Sequence, residues 1–173
     1  MPTELKFPLL THADFTGVHE LSYNEFKETE LDNFIANSEK KYVRMMLSDK
    51  AYSDLVTASS ELKYIELFNG VTYMSSEDEV LVNEGLKEVL KYLIRSGWLA
   101  YQYQQTQAGY TKNQNENSTV SGDNVNTQII YDIYNSGLYI YNSDIVIFVN
   151  EKMYTTGYEG FEKFKMPIID FLF

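Results

Sequence analysis

The sequence predicts a mainly α fold, a small helical bundle with a long polar loop or arm and an extended C-terminal tail. Three features of the chain predict it. Between Asn83 and Gln107, the residues Leu86, Val89, Leu90, Leu93, Ile94, Trp98 and Tyr101 recur at spacings of three and four, one side of a helix. A second stripe, Leu31, Phe34, Ile35, Tyr42, Met45 and Met46, follows Thr29. From about residue 106 to 127 apolar residues nearly vanish, and the chain then turns apolar and aromatic towards its end.

Residues 1–28 hold Pro2 and Pro8 and no sustained period. Phe7, Leu9, Leu10 and Phe15 are expected to lie over the core. His12 and His19 are the only histidines, and with Asp14 and Glu20 they could be drawn as a metal site. Their spacing matches no motif that fixes a metal, so a surface loop is expected.

Thr29 stands three residues before Asp32, a loose capping box that opens the first helix. Glu39, Lys40, Lys41 and Arg44 are expected to form its solvated side. Ser48 is expected to cap a second, short helix that carries Tyr52, Leu55 and Val56 inward. Glu61 to Phe68 reads as a third helical piece closed by Asn69-Gly70. Glu77, Asp78 and Glu79 lack the alternating ligands and the glycine of a calcium loop, so they read as a solvated loop leading into the long helix.

That helix, Asn83 to Gln107, carries Lys87, Glu88, Lys91 and Arg95 opposite its apolar stripe. Gly97 lies within the stripe. A helix-interior glycine costs about 1 kcal/mol relative to alanine, which suggests that another backbone comes close there. The following AGYTKNQNENSTVSGDNVNTQ cannot offset its ordering entropy by burial. It is a loop, or an arm that orders on a partner, with Tyr103, Gln105, Tyr110, Asn113 and Asn115 as candidate inter-subunit contacts.

From Thr127 to Tyr154 local rules conflict. β-branched and aromatic residues around Asn135-Ser136-Gly137 suggest an alternative α+β fold with a β-hairpin at 127–154. Period suggests a helix instead, with Ile129, Ile133, Ser136, Ile140, Asp144 and Ile147 along one line and Ile130, Tyr134, Gly137, Tyr141 and Phe148 beside it. The end carries Phe161, Phe164, Met166, Ile168, Ile169, Phe171, Leu172 and Phe173. Each buried Phe or Leu is worth about 1.5–3 kcal/mol, so this segment packs either on the chain's own core or on a neighbouring subunit or partner.

The formal net charge of −11 argues against a protein that grips nucleic acid. There is no cysteine, hence no disulfide framework and no thiolate chemistry. No apolar signal region and no run of about 18 apolar residues is present, so neither secretion nor a membrane span is expected. Fifteen tyrosines beside one tryptophan suit surfaces buried in an assembly, although AT-rich genomes produce the same bias. No phosphate loop, nucleophile elbow or metal-protease motif emerges, so no enzyme and no cofactor is expected.

The order of features resembles a family. LLTHADF near the start, the run from Asp32 through Leu47 and Ser48 to Asp54-Leu55, and LFNGVTY followed by GLKEVLKYLIRSGWL are similar to the head-to-tail connector, or adaptor, proteins of tailed bacteriophages. The resemblance covers about residues 8–155. It implies a helical adaptor domain over 1–160 and a docking tail over 161–173, with the first, long and last helices packed together. It also implies a virion protein made in the host cytoplasm, forming a ring, commonly of twelve subunits, between the portal protein and other connector or tail proteins. DNA would pass through the ring without specific binding, and the tail would reach the portal. The alternative from composition is an acidic cytoplasmic protein-binding module, a regulator or inhibitor. Its acids are dispersed among basic residues, which weakens DNA mimicry.

Overall fold

A computed structural model describes residues 8–21, 28–57, 61–107 and 123–153. They are mostly helical, with one small antiparallel sheet. Helix α1, Glu28–Thr57, runs for 30 residues without interruption. Ser48 therefore opens no second helix: neither glycine nor proline lies between Glu28 and Thr57, and an established helix propagates readily. Leu31, Ile35, Val43, Met46, Leu47 and Leu55 of α1 are buried. Met45 and Val56, expected inside, are 45% and 47% exposed, because the buried face is centred on the Leu31, Ile35, Glu39, Val43 line.

Helix α2, Leu62–Asn69, ends at Gly70, whose φ of +84° reverses the chain into strand β1, Val71–Met74. Strand β2, Val80–Asn83, pairs with it antiparallel, Val71 facing Asn83 and Met74 facing Val80. Glu77, Asp78 and Glu79 form the exposed turn between the strands, a solvated loop as expected, but β2 separates it from the long helix. Asn83 is the closing residue of this hairpin and not a helical one: its Nδ2 donates to the Glu66 carbonyl at 3.0 Å and its Oδ1 accepts from Gly85 N at 3.0 Å. Helix α3, Leu86–Gln107, begins just beyond.

The predicted stripe of α3 is buried from Leu86 to Trp98 and forms the centre of the core. Trp98 stacks on Tyr101 at 5.5 Å and meets Phe34 of α1 edge-on at 5.1 Å. A Cβ at Gly97 would lie 3.4 Å from the Phe34 ring and from the Tyr42 hydroxyl, so this glycine faces side chains and no second backbone.

Helix α4, Asp123–Ile140, continues through a π turn, Tyr141–Ile145, one α turn, Val146–Phe148, and a second π turn, Val149–Met153. The alternative hairpin at 127–154 is thus not formed. Packing on α3 decides against β propensity here. Leu138, Tyr141, Ile145, Val146, Phe148 and Val149 are all buried. Of the two predicted lines, the one holding Tyr134, Gly137, Tyr141 and Phe148 faces the core, while Ile129 and Ile147 of the other are 48% and 43% exposed. The Tyr141 hydroxyl donates to the Met46 carbonyl at 2.7 Å, tying the first π turn to α1, and burial raises its pKa far above the usual phenol value. Helices α1, α3 and α4 share one core. No helix among the described residues is long and apolar enough to cross a membrane.

Candidate assembly surfaces

The N-terminal segment is held by carboxylates from two helices. Glu39 of α1, only 1% exposed, accepts from Leu9 N at 2.8 Å and Leu10 N at 2.9 Å. Burial raises its pKa, and the two backbone N–H groups work against that rise. Glu39 is therefore no part of a solvated face. His12 Nδ1 lies 2.9 Å from Asp32 and its Nε2 lies 3.0 Å from Glu28. Two carboxylates facing both ring nitrogens favour the imidazolium, and the hydrogen bond with Asp32 is the main cause of a raised pKa. His19 is not in a surface loop either. It is buried edge-on to Tyr92 with a ring-centroid distance of 4.5 Å, and its Nε2 hydrogen-bonds with Glu88. The polar side of α3 is accordingly roofed by this segment, with Lys87 3.6 Å from Asp14. Among the described residues no group of three or more His, Asp or Glu side chains is placed to hold a metal.

The hairpin presents a different surface. Its inner face is fixed to the end of the last helix: Tyr73 packs edge-on to Phe148 at 5.2 Å. Glu151 accepts from Ser76 N at 3.0 Å, and Lys152 donates to the Met74 carbonyl at 2.8 Å. Burial and the nearby Glu151 and Asp144 charges raise the Tyr73 pKa. Strand alternation then leaves Thr72, Met74, Val80 and Val82 on the outer face. Met74, Val80 and Val82 are 52%, 67% and 58% exposed. Glu77, Asp78 and Glu79 are exposed at the tip, which is held by Glu77 N and Glu79 N donating to Ser75 Oγ.

A third surface lies along α1. Asn33, Asn37, Lys40, Lys41, Arg44 and Met45 are exposed at helical spacing. Lys41 lies over the Tyr42 ring at 5.5 Å and Arg44 over the Tyr52 ring at 5.0 Å, which positions both cations.

None of the contact residues singled out from sequence is among those named on these surfaces. Tyr103 and Gln105 fall within the last turns of α3. Tyr110, Asn113 and Asn115, and Phe161, Phe164, Met166, Ile168, Ile169, Phe171, Leu172 and Phe173, lie outside the described residues. Helix α4 takes up residues 123–127 at the end of the polar stretch. Sequence reasoning missed the hairpin surface. Its signal was present in two short runs of strand-forming residues, VTYM and VLVN, bracketed by Gly70 and Gly85.

An open groove of about 500 Å³ is lined by Asp132, Asn135, Ser136, Tyr139 and Ile140 of α4, and it holds no paired acid and base. No protein-family model matches the chain, and neither does a curated protein or a solved structure.

Proposed function

We propose that this protein is a structural virion protein, a head-to-tail connector or adaptor of a tailed bacteriophage. It forms a ring, of about twelve subunits by the family resemblance, between the portal and the tail and continues the DNA channel. The observation that carries this reading is the outer face of the hairpin. Three large apolar side chains there are more than half exposed on a strand pair that is itself anchored at Glu151 and Lys152. An exposed apolar strand face is an aggregation hazard for a lone monomer and a ready contact for an assembly subunit. The order of elements, an N-terminal segment over α1, then α2, hairpin, α3 and α4, supports the same reading through the resemblance.

The net charge of −11 fits a channel component. Repeated around a ring, it repels DNA phosphates and lets the duplex slide, where a basic wall would retain it. In this reading the tail, residues 161–173, docks on the portal, the polar arm contacts neighbouring subunits, and neither membrane nor specific DNA sequence is bound. The test is co-purification with virions, together with native mass measurement of the protein mixed with purified portal. Enrichment in virions and a portal-bound ring are expected. A protein absent from virions that ignores the portal overturns the reading and leaves the acidic regulator in its place.

A further inference from the structure

We infer that neighbouring copies join head to tail, the hairpin of one copy seating on the α1 stripe of the next. The inference rests on the ring reading for its biological setting, but its chemistry comes from two surfaces of a single chain. The hairpin offers Thr72, Met74, Val80 and Val82 beneath a tip of Glu77, Asp78 and Glu79. The stripe offers Lys40, Lys41 and Arg44 beside the exposed Met45, and among the described residues no exposed carboxylate lies between Asn33 and Met45. Glu39, the one acid in that interval, is turned inward onto Leu9 and Leu10. Acidic and apolar elements on one surface thus meet basic and apolar elements on the other.

Both surfaces stay exposed within one copy, so the chain does not use one to cover the other. Hairpin against hairpin would set like charges together, and so would stripe against stripe, which disfavours a two-fold contact of either surface with its own copy. Only unlike surfaces remain. When each copy gives its hairpin to one neighbour and its stripe to another, the contact is heterologous, and it closes into a ring when its rotation closes.

Charge exchange tests this directly. One variant carries Lys40→Glu, Lys41→Glu and Arg44→Glu. The other carries Glu77→Lys and Glu79→Lys, with Asp78 kept because its φ of +62° suits Asp better than Lys. Circular dichroism checks that both are folded, and native mass spectrometry and light scattering read their assembly. The wild type is expected to assemble, and each variant alone to need at least about tenfold higher concentration, a loss of about 1.4 kcal/mol. Mixing the two variants should restore assembly, because each then supplies the surface the other has lost.

Variants that assemble like the wild type, folded variants whose mixture stays monomeric, or a wild type that never self-associates would each overturn the contact. Portal binding separates this from the connector reading. A monomer that still binds portal loses only the head-to-tail contact. A charge-complemented ring that ignores portal keeps the contact and loses the connector role.

Discussion

Gly137 of α4 lies so close to Tyr92 of α3 that a Cβ at position 137 would sit 2.8 Å from the Tyr92 Cβ. The same Cβ would lie 3.3 Å from the Val89 carbonyl oxygen, and two turns earlier Ser96 Oγ donates to the Ile130 carbonyl at 3.0 Å. Small residues thus set the distance between these helices. Gly137→Ala is expected to destabilise the protein by about 1–3 kcal/mol, the usual cost of overpacking. Gly97→Ala, whose Cβ meets side chains at ordinary contact distance, should be neutral or stabilising by up to about 1 kcal/mol. Urea unfolding of both variants decides the matter, and equal losses would contradict the difference.

The neck of the hairpin depends on two other glycines. A Cβ at Gly70 would fall 2.6 Å from the Asn83 carbonyl oxygen, and one at Gly85 would fall 2.6 Å from Gly70 N. Both carry positive φ, +84° and +92°. Alanine at either position should cost on the order of 1–3 kcal/mol. The loss should appear first as faster amide exchange at Tyr73 and Leu81. Unchanged exchange in Gly70→Ala and Gly85→Ala would show that the neck can relax.

Removing Glu39 should release the N-terminal segment. Glu39→Ala leaves Leu9 N and Leu10 N without their carboxylate acceptor, each worth about 1–3 kcal/mol when buried. Glu39→Gln keeps an acceptor oxygen and removes the buried charge, so its loss should be smaller. Thermal unfolding that ranks glutamine below alanine would refute this account.

Protonation of His12 should contribute to stability. Its folded pKa is raised above 6.5, chiefly by the hydrogen bond with Asp32, so the folded state holds the proton more tightly than the unfolded chain. That contribution is complete below pH 6.5 and is lost as pH rises through the raised folded value. Glu39 has a raised pKa as well, with the same sign, and its window opens at 4.5, below the pH at which that of His12 opens. Denaturant midpoints scanned upward from pH 6.5 should fall in the wild type and fall less in Asp32→Asn. Parallel curves would remove His12 as the source.

The core of α3 was legible in the sequence because its stripe is long, periodic and free of competing signals, and Leu86 to Trp98 are buried as the spacing requires. Helix α4 was only half legible. Its β-branched and tyrosine-rich composition favours strands, and the fit of Gly137 against Tyr92, which favours helix, joins residues 45 positions apart. The hairpin was hidden by its brevity: each strand is four residues long, and its apolar outer side breaks the alternation that marks a half-buried strand. His19 was misplaced for a similar reason. Its partner Glu88 is 69 residues away, and no local pattern reports such a pair.

The double clamp of Glu151 and Lys152 on Ser76 and Met74 also has a mechanical side. Both residues lie in the last described helical turn, Val149–Met153, so that turn and the hairpin are fastened to each other. A pull applied at this turn loads the strand pair through two polar contacts. Tension on the turn is thereby transmitted to the strand pair.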